Sequence, residues 1–335
     1  MTEIRSILLD TFFKCEGRRY VEDGRLFLNA SGATFKGRFR GSELSLTLFS
    51  EPVVKGRNTY IRLTLDGRRR RIRLPIGKKT LSCTLPAGEH TFEVVKLNES
   101  ESNSLALSSA LTDGEFLPVT EEKKIKIEFI GDSITTGYGV RAKSADEEYT
   151  TATQDVTLAY SYLTARALNA EMNVVAASGW GMYKSKYAEY ALPDFYANID
   201  LTRNRERWDF SFRPDVIVVA LGTNDFSYLA DLGEKHRARE YAALKKQSMG
   251  FLRALLAAGI PVVWVYGFSG SESQAGLPAL VEEVWHELDC PHFYTLQVRS
   301  SHSLNDIRAG HPGKRTHKLA SRRLARFLRS LIGGV

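Results

Sequence analysis

Four short segments carry side chains that could perform acyl transfer together. They are Gly131-Asp132-Ser133-Ile134-Thr135-Thr136-Gly137-Tyr138-Gly139, Ser178-Gly179-Trp180-Gly181, Gly222-Thr223-Asn224-Asp225 and Gly310-His311-Pro312. A serine hydroxyl is a weak nucleophile until a neighbouring base takes its proton, and His311 is the best candidate base for Ser133. The oxyanion that forms when a carbonyl is attacked needs donors already in place, each contributing about 3 kcal/mol to the barrier. The candidates are the backbone N–H of Ser133, that of Gly179 with Gly181 as the alternative, and the side-chain amide of Asn224. Trp180 and Tyr138 are candidate substrate-binding aromatics for a sugar ring. His317 reads as a capping or packing residue of the last helix. His286 and His292 flank Cys290 but fall on a helix and a strand, so no metal site is expected.

These segments form one site only if the elements before them end side by side. From Lys124 onward strands alternate with helices, and KIKIEFIG, MNVVAAS, DVIVVALG and IPVVWVYG are the near-continuous apolar runs of a parallel sheet covered on both faces. The first three candidate segments each follow a strand, at the carboxyl ends where open parallel sheets form their ligand crevice. This predicts an α/β fold, a flavodoxin-like three-layer α/β/α domain over residues 119–335. Before it, residues 1–118 alternate with period two between frequent turns, which predicts an antiparallel, jelly-roll-like β-sandwich. Asp66-Gly67 between two alternating runs should close a tight hairpin. Arg68 to Arg71 and Arg73 on its second strand are either a polyanion patch or a solvated strand face, and the lack of interleaved aromatics favours the latter.

Composition agrees with two globular domains. The chain has 335 residues, 43% hydrophobic and 25% charged. Its 46 basic and 39 acidic side chains leave +7, with 19 and 16 of them up to residue 122, so the excess is spread and no nucleic-acid partner is expected. Three cysteines, Cys15, Cys83 and Cys290, without CxxC spacing argue for reduced thiols. The N-terminus lacks the pattern of a secretory leader, and no apolar run is long enough for a membrane helix. A cytoplasmic protein without a membrane partner is expected, or a secreted one if a leader has been trimmed away.

GDSITTGYG, SGWG, GTND and GHPxxxxH, in this order and spacing, resemble the four signature blocks of the SGNH (GDSL-type) hydrolases. The GDSIT-x-GYG form after a β-sandwich looks most like carbohydrate esterase family two, whose members remove acetyl groups from sugars. The resemblance implies a Ser133 nucleophile, a His311 base, an oxyanion hole from Ser133, Gly179 and Asn224, and neither metal nor other cofactor. It also implies a small-molecule or oligosaccharide acetyl ester as substrate. The chain departs from the pattern at Arg308, where many SGNH enzymes place an aspartate three residues before the histidine. Either His311 works in a dyad, oriented by a backbone carbonyl, or Asp306 takes the third role. A broader small-acyl esterase or thioesterase, and a carbohydrate-binding protein that has lost turnover, are the alternative functions.

Overall fold

The structure is a computed structural model that describes residues 2–5, 12–119, 123–203, 206–268, 274–301 and 306–333. The chain divides into two compact units: residues 1–122 with 150–152 and 199–208, and the remainder. The first unit thus takes in two short segments from later in the chain. The physical reason lies in Asp200, which accepts a hydrogen bond from Asn29 Nδ2 (2.6 Å) and faces the wholly buried Lys96. Burial pushes the Lys96 ammonium down to about 7, and its Nζ donates to the carbonyls of Asn98 (2.7 Å) and Glu99 (3.1 Å). A cation without water must be given such partners, and Asp200 ties the later segment to it.

The first unit is an antiparallel sheet of β1 (Thr2–Arg5), β2 (Lys14–Glu16), β3 (Tyr20–Glu22), β4 (Arg25–Phe27), β5 (Thr34–Pro52), β6 (Tyr60–Leu65), β7 (Arg68–Arg73), β8 (Gly77–Lys96), β9 (Asn103–Thr112) and β10 (Glu115–Leu117). The order along the main path is β3-β4-β9-β5-β8-β6-β7, with β1 on β9 and both β2 and β10 on β5. The long strands β5 and β8 stay paired along almost their whole length, with a bulge between Gly41 and Glu43. Such a bulge bends and twists a strand. Inward residues from both halves, among them Phe35, Phe39, Leu46, Leu48, Phe92 and Leu107, share one core. Each buried side chain of this size contributes roughly 1.5–3 kcal/mol. Asp66 (φ 45°) and Gly67 (φ 78°) join β6 to β7 in the two-residue turn that their types favour.

The second unit is built on a parallel sheet of β11 (Ile125–Gly131), β12 (Ala170–Ala176), β13 (Val216–Ala220), β14 (Val262–Tyr266) and β15 (Phe293–Gln297), in the order β12-β11-β13-β14-β15. That is the flavodoxin-like order, whose ligand crevice opens where the winding reverses, at β11 and β13. All five residues of β13 are buried, as a strand covered on both faces must be. Helix α1 (Ser133–Thr136) follows β11. Beyond it come α2 (Tyr160–Ala167), α3 (Leu192–Phe195), α4 (Thr223–Ala230), α5 (Glu234–Leu256), α6 (Leu277–Leu288) and α7 (Lys314–Ile332). α2 packs with α7, and α5 with α6. Along α7 the buried residues Thr316, His317, Ala320, Ser321, Leu324, Ala325 and Leu328 repeat with helical period. Between them lie the arginines and lysines of its solvated face. No helix among the described residues is long and apolar enough to cross a membrane.

Candidate active site

Register brings the first three segments together. Gly131, the last residue of β11, lies opposite Ala176 of β12 on one side and Ala220 of β13 on the other. The chain turns out of all three strands at the same level. Asp132 then caps α1, its Oδ1 accepting from the Ile134 N–H (2.9 Å), and this cap places Ser133 at the first helical position. An amide in a first helical turn has no acceptor within its helix, so it can serve another group.

His311 reaches the same place from β17 (His311–Pro312), which pairs with β16 (Ile307–Arg308). Its Nε2 lies 2.8 Å from Ser133 Oγ, and its Nδ1 lies 2.9 Å from the carbonyl oxygen of Ala309. The second bond selects the tautomer with hydrogen on Nδ1, leaving Nε2 as acceptor for the serine proton. Ala309 (φ 47°) and Gly310 (φ 71°) form a turn with left-handed backbone, a conformation that costs an alanine about 1 kcal/mol or more. The turn is anchored from outside, because the N–H groups of Ala309 and Gly310 donate to the carbonyls of Ser144 (2.9 Å) and Ala145 (2.9 Å). Gly139 (φ 64°) leaves it room: a Cβ there would come within 2.8 Å of Ala309 Cβ and 2.9 Å of the Arg308 carbonyl oxygen.

The hydrogen bonds of Asp306 go elsewhere than to His311. Its carboxylate accepts from Ser301 Oγ (3.0 Å), the Arg315 N–H (3.1 Å), the Thr316 N–H (2.7 Å) and Thr316 Oγ1 (2.7 Å). It caps the start of α7. Burial alone would raise its pKa, but these donors, Thr316 foremost, outweigh burial and hold it below the usual carboxylate value. Arg308 turns back to the carbonyl of Ile307 (2.8 Å). His317 is buried, accepts the Tyr160 N–H at Nδ1 (3.1 Å) and is held neutral by burial, with its pKa down at about 4. It packs against Tyr160 and is not bonded to Ser133.

Gly179 adopts φ 82°, and a Cβ on it would meet Tyr187 Cβ at 2.9 Å, so this loop conformation requires glycine. Gly181 sits two residues on, bridged to Ala191, with the Asp225 carboxylate against it. Asn224 Nδ2 donates to the Trp180 carbonyl (2.9 Å) and lies 3.4 Å from Asp132 Oδ2, so its second hydrogen is only loosely engaged. Asp225 is the organising residue of this loop. Its buried carboxylate accepts the N–H groups of Met182 (2.8 Å), Tyr183 (2.7 Å) and Lys184 (3.0 Å). Burial pushes its pKa up against the pull of these three donors. The loop after β12 is thereby fastened to the start of α4.

Trp180 is turned into the interior rather than presented on an open loop. It is 4% exposed, with its ring packed on Phe195 (5.2 Å) and Tyr190 (6.0 Å). Tyr138 stacks on Tyr149 (3.8 Å between ring centroids, 9° between planes) and lies beside the His311 ring (4.4 Å). Tyr149 OH donates to Gln154 (2.8 Å), whose Nε2 donates to Thr136 Oγ1 (2.9 Å), which in turn donates to the Ser133 carbonyl (3.1 Å). Nothing in the local sequence around Gln154 signals this brace. Among the described residues no group of three or more His, Cys, Asp and Glu side chains could hold a metal ion.

The imidazole sets a pH dependence. Burial lowers the pKa of His311, while its bond to the Ala309 carbonyl raises it less. A base must be neutral to accept a proton, so kcat/KM should rise with pH through an apparent pKa below the ordinary 6.5 or so. An acid limb centred above about 7 in a pH–rate profile would contradict this assignment.

A parallel sheet with a serine, a histidine and amide donors at one rim has the parts that acyl transfer requires. The chain belongs to the GDSL-like lipase/acylhydrolase family, whose model matches residues 129–319. Residues 15–120 match the carbohydrate esterase 2 N-terminal domain. An acetylxylan esterase/glucomannan deacetylase of Cellvibrio japonicus is 30% identical over 217 residues, covering 62% of this chain and 58% of that protein's length. A solved family two carbohydrate esterase from Cellvibrio japonicus superposes with TM-score 0.85 at 25% identity, covering 99% of this chain and 98% of the other. One from Clostridium thermocellum, in complex with cellohexaose, superposes with TM-score 0.85 at 24% identity, over 96% of this chain and 100% of the other.

Proposed function

We propose that the protein is a serine esterase that removes O-acetyl groups from carbohydrates. The observation that carries this reading is the hydrogen-bonded series Ser133 Oγ, His311 Nε2, His311 Nδ1 and Ala309 carbonyl, with spacings of 2.8 and 2.9 Å. Ser133 Oγ attacks the acetyl carbonyl as its proton passes to His311 Nε2. The carbonyl electrons move onto oxygen, where the N–H groups of Ser133 and Gly179 and the amide of Asn224 receive the charge. Collapse breaks the bond to the sugar oxygen, which takes the proton back from His311. The serine now carries an acetyl ester. Water enters, gives a proton to His311 and adds to the ester; collapse returns that proton to Ser133 and releases acetic acid, which ionises to acetate in solvent.

The Ala309 carbonyl does part of what an aspartate would do, since it fixes the ring and its tautomer but brings no full negative charge to the imidazolium. The turnover-deficient reading drew on Arg308 in the usual acid position. With Nδ1 already satisfied, that motive falls away. Carbohydrate as the substrate class is supported by the match of residues 15–120 and by the relatives' activities.

Acetate release from acetylated xylooligosaccharides, measured beside 4-nitrophenyl esters of two lengths, tests the reading. Acetyl esters should be preferred over octanoyl esters by at least about tenfold, or 1.4 kcal/mol. A flat or reversed profile without acetate release would favour the lipid or acyl-carrier alternative.

A further inference from the structure

Taking the proton of Ser133 makes the His311 imidazole a cation, and the Ala309 carbonyl brings no full negative charge to balance it. Among the described residues no carboxylate bonds to the imidazole. Asp306 serves the first turn of α7, and Asp132 the N–H of Ile134. Arg308, turned back to the Ile307 carbonyl, and His317, held neutral by burial, add no negative charge. What lies against the imidazole instead is an aromatic ring.

The centre of the His311 ring is 4.4 Å from that of Tyr138, with 36° between their planes. Tyr149 stacks on the same tyrosine at 3.8 Å and 9°. Two rings centred this close cannot share one face of Tyr138, since contacting carbon atoms stay about 3.5–4.0 Å apart. Tyr149 therefore covers one face and the imidazole lies against the other, which leaves neither for a sugar ring. The stack is fixed at both ends. Tyr149 OH donates to Gln154 (2.8 Å), and the Tyr138 N–H donates to the carbonyl of Ser133 itself (3.0 Å). Nucleophile, base and the ring behind the base thus share one short frame.

We propose that Tyr138 is a positioning residue for His311, whose ring face holds the imidazole in line with Ser133 and attracts the positive charge that the imidazole acquires with the serine proton. The face of an aromatic ring is its negative side, and it draws a cation lying within about 6 Å of its centre. The resting imidazole is neutral, so this attraction grows as the proton moves and favours the transition state over the ground state. Tyr138 in this way supplies part of what a carboxylate would give. The inference rests on the esterase reading above and names the group that supports its base.

A tyrosine that only fills space could be replaced by any ring of the same shape, and the test uses that difference. Tyr138→Phe is compared with variants carrying phenylalanine with one, two or three ring fluorines at this position, which keep the shape and progressively drain the negative face. Two quantities are read: kcat and KM with 4-nitrophenyl acetate, and the pKa of His311 from an NMR titration of the free protein. Tyr138→Phe should keep kcat within about threefold of the parent, because the ring remains. Each added fluorine should lower kcat, reaching about tenfold below Tyr138→Phe with three, while KM holds steady. The His311 pKa should fall in the same order, since the imidazolium loses its support. A fluorine series flat in both readouts would overturn the proposal. So would a series that moves KM alone, because Tyr138 would then be a surface for substrate. A His311 pKa that falls along the series in a protein that hydrolyses no ester would keep the ring contact and remove the esterase reading. Ester turnover with a flat series would do the reverse.

Discussion

Ser133→Ala is expected to lower ester turnover by about four orders of magnitude or more, with little change in melting temperature. Loss of a serine nucleophile removes the covalent route altogether, and only the oxyanion donors and substrate binding continue to act. The hydroxyl's partner in the fold is the His311 imidazole, so its removal deletes one hydrogen bond and opens no large void. A fluorophosphonate probe should label the parent protein and leave the variant unlabelled. Labelling of the variant at parental rate would place the nucleophile elsewhere.

The second large effect separates the two candidates for the histidine's neighbour. His311→Ala should cost as much as the serine change, because Ser133 then has no base within reach. Asp306→Asn should cost less than about tenfold in kcat, or 1.4 kcal/mol of barrier. Its carboxylate is spent on the first turn of α7, through Thr316 and Arg315, and the imidazole is held by Ala309. The loss should appear in stability instead, at about 1 kcal/mol for a weakened helix cap. Rates must therefore be compared well below both melting temperatures. A thousandfold fall in kcat at unchanged stability would make Asp306 the orienting acid after all.

Much of this arrangement is legible in the chain. Alternation of apolar residues separates a sandwich from a parallel sheet, because one face of the former meets water and neither face of the latter does. The candidates Ser133, Gly179 and Asn224 follow from reading the residues just past strand ends, and His311 from the Gly-His-Pro segment before the last helix. What stays hidden is whatever depends on contacts between distant segments. The bond from His311 to Ala309 is made by a backbone atom, which no residue type announces. The bonds of Asp225 to residues 182–184 appear only once two strands lie side by side. Trp180 between two glycines suggested an open loop, yet Tyr190 and Phe195 return to bury it. Residues 199–208 carry no composition that marks them as belonging with the first unit, because the bond from Asn29 to Asp200 spans 171 positions.

The Ala309 turn also bears on how this site tolerates mutation. A triad aspartate can be deleted by one codon change, whereas a carbonyl oxygen belongs to every amino acid and is kept by any replacement that can adopt the same backbone conformation. The group that orients His311 is in that sense a backbone atom, beyond the reach of most side-chain changes. Vulnerability is transferred to residues that hold the turn in place: Gly139, whose missing Cβ leaves it room, and the stretch at 144–145 that receives its N–H groups. A screen for inactivating substitutions around His311 should therefore find Gly139 sensitive and position 309 open to glycine, asparagine and aspartate, which tolerate a positive φ, with β-branched residues disfavoured there and proline excluded because it has no N–H to give Ser144 and its ring forbids that φ.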